Sequence, residues 1–237
     1  MTAAVAHPAR YSAAILAVLA DHIGAVEWVL DPFAGTGRIH ALRSLLIGHT
    51  VGVELEEEWA ALHPDTIHGD ALDLAQLFDP GTVPAIATSP AYGNRMADTS
   101  VDHTERHTYR AALGRPLSPT NGGGMQWGDT YRSLHERVWQ ACAIVLRPGG
   151  TLTLNCKDHI RAGAVVPVTA WHVAVLEALG LVVERHDEVT TAGLPHGQHA
   201  THRTGVEHVV TLRKARTTGE PIAYPTTNQE DYRHAQT

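Results

Sequence analysis

The sequence predicts an α/β fold that is doubly wound, with a mostly parallel, seven-stranded sheet and helices on both faces. Short apolar runs alternate with helix-periodic stretches along most of the 237 residues, and strands separated by helices form parallel sheets. The first apolar run ends directly in a glycine-rich turn, Asp31 to Gly37. Apolar residues make up 43% and charged residues 18%, enough to bury a core and to exclude disorder throughout.

Residues 26–31 (VEWVLD) read as the first strand and residues 39–47 as a helix. Residues 50–54 (TVGVE) give a second strand, and residues 56–62 start another helix. A weaker strand at 66–68 leads into Gly69 and Asp70, and residues 85–88 (AIAT) run into Ser89 and Pro90. Helical spacing returns over 129–146, where the Arg147–Pro148–Gly149–Gly150 run should stop the helix. Strands are expected at 151–155, 181–183 and 206–212, with a helix over 168–179. Two stretches break the rhythm. Residues 94–128 hold Pro116, Pro119 and the run Asn121 to Gly124, which reads as a long loop or small insertion, and loops of that length inside a compact domain are usually functional or disordered. From residue 217 the chain is polar, so one domain over 1–216 and a tail over 217–237 are expected.

Eighteen Lys and Arg against twenty-five Asp and Glu leave a formal charge of −7, which excludes a polycation that coats nucleic acid but not a local basic groove. All but two of the basic residues are arginine, the exceptions being Lys157 and Lys214. Two cysteines, Cys142 and Cys156, cannot build a disulfide framework or a cysteine zinc site. A reducing, cytoplasmic setting suits that count. The first ten residues lack the basic region and apolar core of an export signal. No segment reads as a membrane span.

Chemistry is concentrated at the strand ends. Gly35 and Gly37, in the turn Asp31–Pro32–Phe33–Ala34–Gly35–Thr36–Gly37, let the backbone turn sharply and approach a ligand. A dinucleotide fingerprint would place glycine where His40 stands, and the Gly-Lys-Ser/Thr ending of a P-loop is missing. The ligand expected is therefore nucleoside-like without a pyrophosphate. Glu54 ends the second strand seventeen residues beyond Gly37, where an acid can accept hydrogen bonds from both ribose hydroxyls. Asp70, after the third strand, is placed for an adenine amino group. A helix-capping role for Glu54 and a turn-capping role for Asp70 are the alternatives.

The fourth strand ends in Ser89–Pro90–Ala91–Tyr92–Gly93–Asn94–Arg95. Together, DPFAGTG and SPAYG resemble the DNA amino-methyltransferases that use S-adenosylmethionine, with their (Asp/Asn)-Pro-Phe-x-Gly-x-Gly loop and (Asp/Asn/Ser)-Pro-Pro-(Tyr/Phe/Trp) tetrapeptide. The resemblance covers residues 6–214 and implies S-adenosylmethionine as cofactor, bound by Asp31, Pro32, Phe33, Gly35, Gly37, Glu54 and Asp70. It also implies that His7, Pro8, Ala9 and Arg10 close over its methionine part. Ser89, Pro90, Ala91 and Tyr92 would form the catalytic loop. Serine in first place favours cytosine N4 over adenine N6 as the methyl acceptor.

An exocyclic amino nitrogen is a poor nucleophile because its lone pair is delocalised into the ring. Acceptors at the Ser89 hydroxyl and the Pro90 carbonyl would favour a pyramidal nitrogen, and Tyr92 could stack on a flipped or single-stranded base. Alanine at position 91, where the pattern has a second proline, predicts a looser loop. Methylation at cytosine C5 would need a nucleophilic cysteine, and neither cysteine follows the proline that such enzymes place before it.

Arginines and aromatics interleave after the catalytic loop, where DNA contacts are expected: Asn94, Arg95, Arg106, Arg110 and Arg115, with His103, His107, Tyr109 and Trp127. Lys157, His159 and Arg161 sit on the same sheet edge, and residues 195–203 form a third candidate. His196, His199 and His202 are three apart but lack an acidic or cysteine partner, so no metal site is expected. The partner expected is DNA, double- or single-stranded, bound by a monomer or weak dimer. This fits a compact, stand-alone modification enzyme of the restriction-modification kind. An RNA or protein amino-methyltransferase, or a homologue that binds but has lost catalysis, are the competing readings.

Overall fold

In the computed structural model, which describes residues 11–45, 48–93, 109, 113–190 and 204–216, the chain closes around one seven-stranded sheet. The strands are β1 (Trp28–Asp31), β2 (His49–Glu54), β3 (Thr66–His68), β4 (Val83–Thr88), β5 (Leu146–Cys156), β8 (Leu181–Thr190) and β9 (Val206–Lys214). A separate hairpin joins β6 (His159–Arg161) to β7 (Ala164–Val166). The sheet order is β3-β2-β1-β4-β5-β9-β8, and only β9 runs against its neighbours. Strand order reverses between β1 and β4, which opens a crevice at their carboxyl ends.

Alternation along the strands sends neighbouring residues to opposite faces. Leu30, Ile86, Leu152 and Leu154 pack with Val138, Trp139 and Val145 of α4 (Asp129–Val145) and with Leu176 of α5 (Val168–Ala178). On the other face, Val29, Ala85, Ala87 and Val209 meet Ile15, Leu16 and Leu19 of α1 (Ala13–Ile23). Ser12 starts α1 by accepting a hydrogen bond from the Ile15 amide at 3.1 Å, the usual service of a serine N-cap. The doubly wound, mostly parallel sheet read from the sequence is the observed one.

Several boundaries differ from the sequence reading. The helix expected over 39–47 is a 3-10 helix at Arg38–Ser44, wound around the buried His40, whose ring nitrogens meet the Thr50 and Thr66 hydroxyls at 2.8 and 2.9 Å. The helix expected from residue 56 is the single turn α2 (Glu57–Ala60), and a further turn, α3 (Leu74–Leu77), went unrecognised. Arg147 to Gly150 lie inside β5, in a bulge where Val83 pairs with Leu146 and Ala85 with Thr151. The strand expected over 181–183 continues to Thr190. Its outer residues are exposed and charged, as an edge strand allows.

Candidate functional site

The sequence-predicted cofactor and catalytic segments converge at the carboxyl ends of β1, β2, β3 and β4. Asp31 ends β1, is 1% exposed, and accepts from the Phe33 amide at 3.0 Å and the Thr88 hydroxyl at 2.6 Å. Tyr11 adds a longer contact to its second oxygen. Burial pushes the Asp31 carboxyl up to about 6, against the pull of those donors. Pro32 and Phe33 follow, with the Phe33 ring edge-on to Trp139 in the core. Gly35 and Gly37 both have positive φ, 54° and 75°, conformations that side chains resist. A Cβ on Gly37 would also stand 2.8 Å from the His40 ring.

Glu54 ends β2 and reaches back under this loop, accepting from the Gly35 amide at 2.7 Å and the Glu56 amide at 2.8 Å. Burial raises its carboxyl to about 7, with Glu56 and Asp31 adding like charge. Asp70 caps the 3-10 turn Ala71–Asp73, its carboxylate accepting from the Leu72 amide at 2.9 Å. Turn-capping and ligand-binding roles are compatible in Asp70, since a carboxylate has two oxygens.

Beyond β4, the Ser89 hydroxyl lies 2.9 Å from the Tyr92 hydroxyl. The Tyr92 ring packs against the core at the end of the sheet. Asn155, near the end of β5, donates to Tyr92 at 3.3 Å, to Ser89 at 3.5 Å and to Glu207 at 3.2 Å. The Glu207 carboxylate can only accept, which fixes the orientation of the amide. That leaves the buried Asn155 Oδ1 without a partner. Two carbonyls anchor the loop from behind: Tyr131 donates to Ala91, and the Trp127 amide donates to Gly93 at 2.7 Å.

The residues assigned to nucleic acid divide differently. Lys157 approaches Glu207 at 3.9 Å. His159 is in the β6–β7 hairpin and contacts the Tyr92 backbone, and Arg161 donates to the Trp127 carbonyl at 3.3 Å. The hairpin turn uses Ala162 and Gly163, both at positive φ. Arg115 is held by two carboxylates, Glu56 at 2.8 Å and Glu58 at 2.5 Å. Glu56 is fully buried and also accepts from Ser118 and Asn121. It thereby ties residues 115–121 to the site beside Glu54. His7, Pro8, Asn94, Arg95, Arg106 and Arg110 lie outside the described residues, as do His103, His107 and His196–His202.

Sequence reasoning missed Tyr11, Thr88, Tyr131, Asn155 and Glu207. None stands in a recognisable motif, although Asn155 could have been found as a polar residue ending a buried strand. Both cysteines are buried with their thiols pushed up by burial, which disfavours the nucleophilic thiolate. Among the described residues, no helix is long and apolar enough to cross a membrane, and no cluster of three His, Cys, Asp or Glu side chains could hold a metal.

No protein-family model and no curated protein sequence matches the chain. Solved structures do. Geranyl diphosphate methyltransferase in complex with GPP and sinefungin superposes with a TM-score of 0.54 at 14% identity, over 84% of this chain and 78% of that one. A SAM-dependent methyltransferase from Methanosarcina mazei gives 0.53 at 11% identity, over 88% of this chain and 100% of that one. The chain has the Rossmann-like methyltransferase fold. The [4+2]-cyclase SpnF also matches, with a TM-score of 0.53 at 14% identity over 86% of this chain and 81% of that one. The methyltransferase fold thus carries more than one chemistry, and the site has to decide the reaction.

Proposed function

We propose that the protein is a DNA amino-methyltransferase that transfers a methyl group from S-adenosylmethionine to an exocyclic base nitrogen, cytosine N4 ahead of adenine N6. The observation that carries the reading is the placement of Ser89, Pro90, Ala91 and Tyr92 at the end of β4, joined to the glycine loop of β1 by the Thr88–Asp31 hydrogen bond.

The residues present fit the cofactor. Glu54 is a buried carboxylate raised to about 7, so the two hydroxyl donors of a ribose would stabilise its charged form. Gly35 and Gly37 keep side chains off the loop beside it, and Asp70 stands at the next strand end for an adenine amino group. When bound, S-adenosylmethionine supplies an electrophilic methyl on a cationic sulfur, so the leaving group needs no metal.

What the chain adds is orientation. The Ser89 hydroxyl and the Pro90 carbonyl would accept the amino hydrogens of the target, holding its lone pair out of conjugation. The unpartnered Asn155 Oδ1 lies in the same polar group and is a further acceptor of the right kind. Tyr92 would offer its ring to the base. Arg95, Arg106 and Arg110, with Lys157, His159 and Arg161, would contact the backbone of the DNA.

The test is incubation with isotopically labelled S-adenosylmethionine and either mixed-sequence DNA or total RNA, followed by nucleoside analysis. Labelled N4-methylcytosine in DNA is expected. Label confined to RNA, or cofactor binding without transfer to any nucleic acid, overturns the reading.

A further inference from the structure

Behind the catalytic loop, three buried side chains form a hydrogen-bonded chain whose direction is fixed by their chemistry. Trp139 Nε1 lies 2.9 Å from His172 Nδ1. An indole nitrogen can only donate, so Nδ1 must be the bare, accepting nitrogen of a neutral ring. The proton of that ring is then on Nε2, 2.9 Å from the Tyr131 hydroxyl oxygen. With its oxygen receiving that proton, the Tyr131 hydroxyl is free to donate to the Ala91 carbonyl. His172 and Tyr131 each receive one hydrogen bond and pass one on, from a Trp139 that only donates to an Ala91 carbonyl that only accepts.

Tyr131, Trp139 and His172 are all completely buried. Tyr131 and Trp139 lie eight residues apart on α4, and His172 comes from α5. Burial, with the nearby His135 ring, holds the imidazole of His172 well below its usual range, so it stays neutral. The segment that receives this chain holds alanine, whose φ no ring fixes. An outside hydrogen bond to its carbonyl restricts the same stretch of backbone.

We infer that Tyr131 is a positioning residue for the Ser89–Tyr92 loop, aimed by His172 and Trp139, and that this tether sets the loop geometry at Ala91. The catalytic part of the inference rests on the methyl-transfer reading of that loop; the tether itself does not.

Three measurements on the full-length protein test it. Nitrogen-15 NMR of labelled histidine, with His172 assigned by its loss in His172→Gln, should show a neutral ring protonated at Nε2. In Trp139→Phe that ring should move to a tautomer mixture. A wild-type ring protonated at Nδ1 overturns the inference. In Tyr131→Phe, hydrogen exchange in the peptide covering residues 89–93 should rise by about tenfold, the factor expected for one lost hydrogen bond. Peptides from β1 and β2 should be unchanged. Equal acceleration everywhere, or none in the loop, overturns it.

Finally, kcat of Tyr131→Phe should fall by about tenfold while the Kd for S-adenosylhomocysteine stays within about twofold. Parallel losses in both overturn the positioning role. If the wild type methylates no nucleic acid, the proposed function fails, whereas the NMR and exchange results still decide the tether.

Discussion

The Thr88 hydroxyl donates to Asp31 Oδ1 across 2.6 Å, joining the last residue of β4 to the last residue of β1. Both sit where the strand order reverses, so a single hydrogen bond couples the glycine loop to the Ser89–Tyr92 loop. Replacing Thr88 with valine keeps the volume and β-branching but removes the donor. We expect Thr88→Val to cost about 1–3 kcal/mol at pH 8, where the buried carboxylate is left short of a partner. The loss should shrink at pH 5, because the Asp31 carboxyl, raised to about 6, is then protonated. Urea denaturation at the two pH values checks both statements; equal losses would contradict the assignment.

Glu54 should leave a signature in the pH dependence of stability. Its folded value of about 7 is above the ordinary 4.5, mainly through burial. For an acid with a raised value, the contribution to stability is greatest below the unfolded value and is lost as pH rises through the folded one. The stability of the wild type relative to Glu54→Gln should therefore fall by about 3 kcal/mol between pH 4.5 and 8. A flat difference would show that Glu54 is not held in a desolvated site.

The same carboxyl links protons to the proposed cofactor. Ribose hydroxyls favour the charged form, so affinity for S-adenosylhomocysteine should rise as pH passes upward through 7. Well below 7 the slope should approach about tenfold per pH unit. Calorimetry from pH 5.5 to 8.5 measures it, and Glu54→Gln should bind weakly with no such slope. A wild-type affinity independent of pH would remove Glu54 from the cofactor site.

Gly37 is set at φ 75° against the His40 ring. Alanine there meets backbone strain of about 1–2 kcal/mol and a contact that the buried ring must yield to. Gly37→Ala should lower Tm and weaken S-adenosylhomocysteine binding together. Full affinity in a well-folded variant would mean that the loop conformation does not matter to the ligand.

Arg115 offers a clear division between two roles. Its guanidinium is paired with Glu56 and Glu58, so Arg115→Ala should loosen residues 115–121 and lower Tm. DNA affinity should stay within about twofold, where loss of a phosphate contact would reduce the salt dependence of binding by about one unit of slope. Filter binding across a salt series distinguishes the two.

The sequence by itself determined the layered α/β architecture and the loops that matter at the strand ends. These depend on local features: apolar alternation, glycine at positions of positive φ such as Gly35 and Gly37, and acids at strand termini such as Glu54. Local periodicity failed where the environment was set from elsewhere. The charged outer face of β8 hid its continuation from residue 184 to Thr190, which exists because it pairs with β9, and residues 147–150 joined β5 because β4 lies beside them. Likewise, Asn155 meets Ser89 only because β5 pairs with β4, and Glu207 joins them through β9. Arg115 reads in the sequence as a candidate DNA contact, and the fold brings Glu56 and Glu58 against it. Only the tertiary structure decided these contacts, because a hydrogen bond or ion pair is made by whichever group the fold brings within about 3 Å, however distant in sequence.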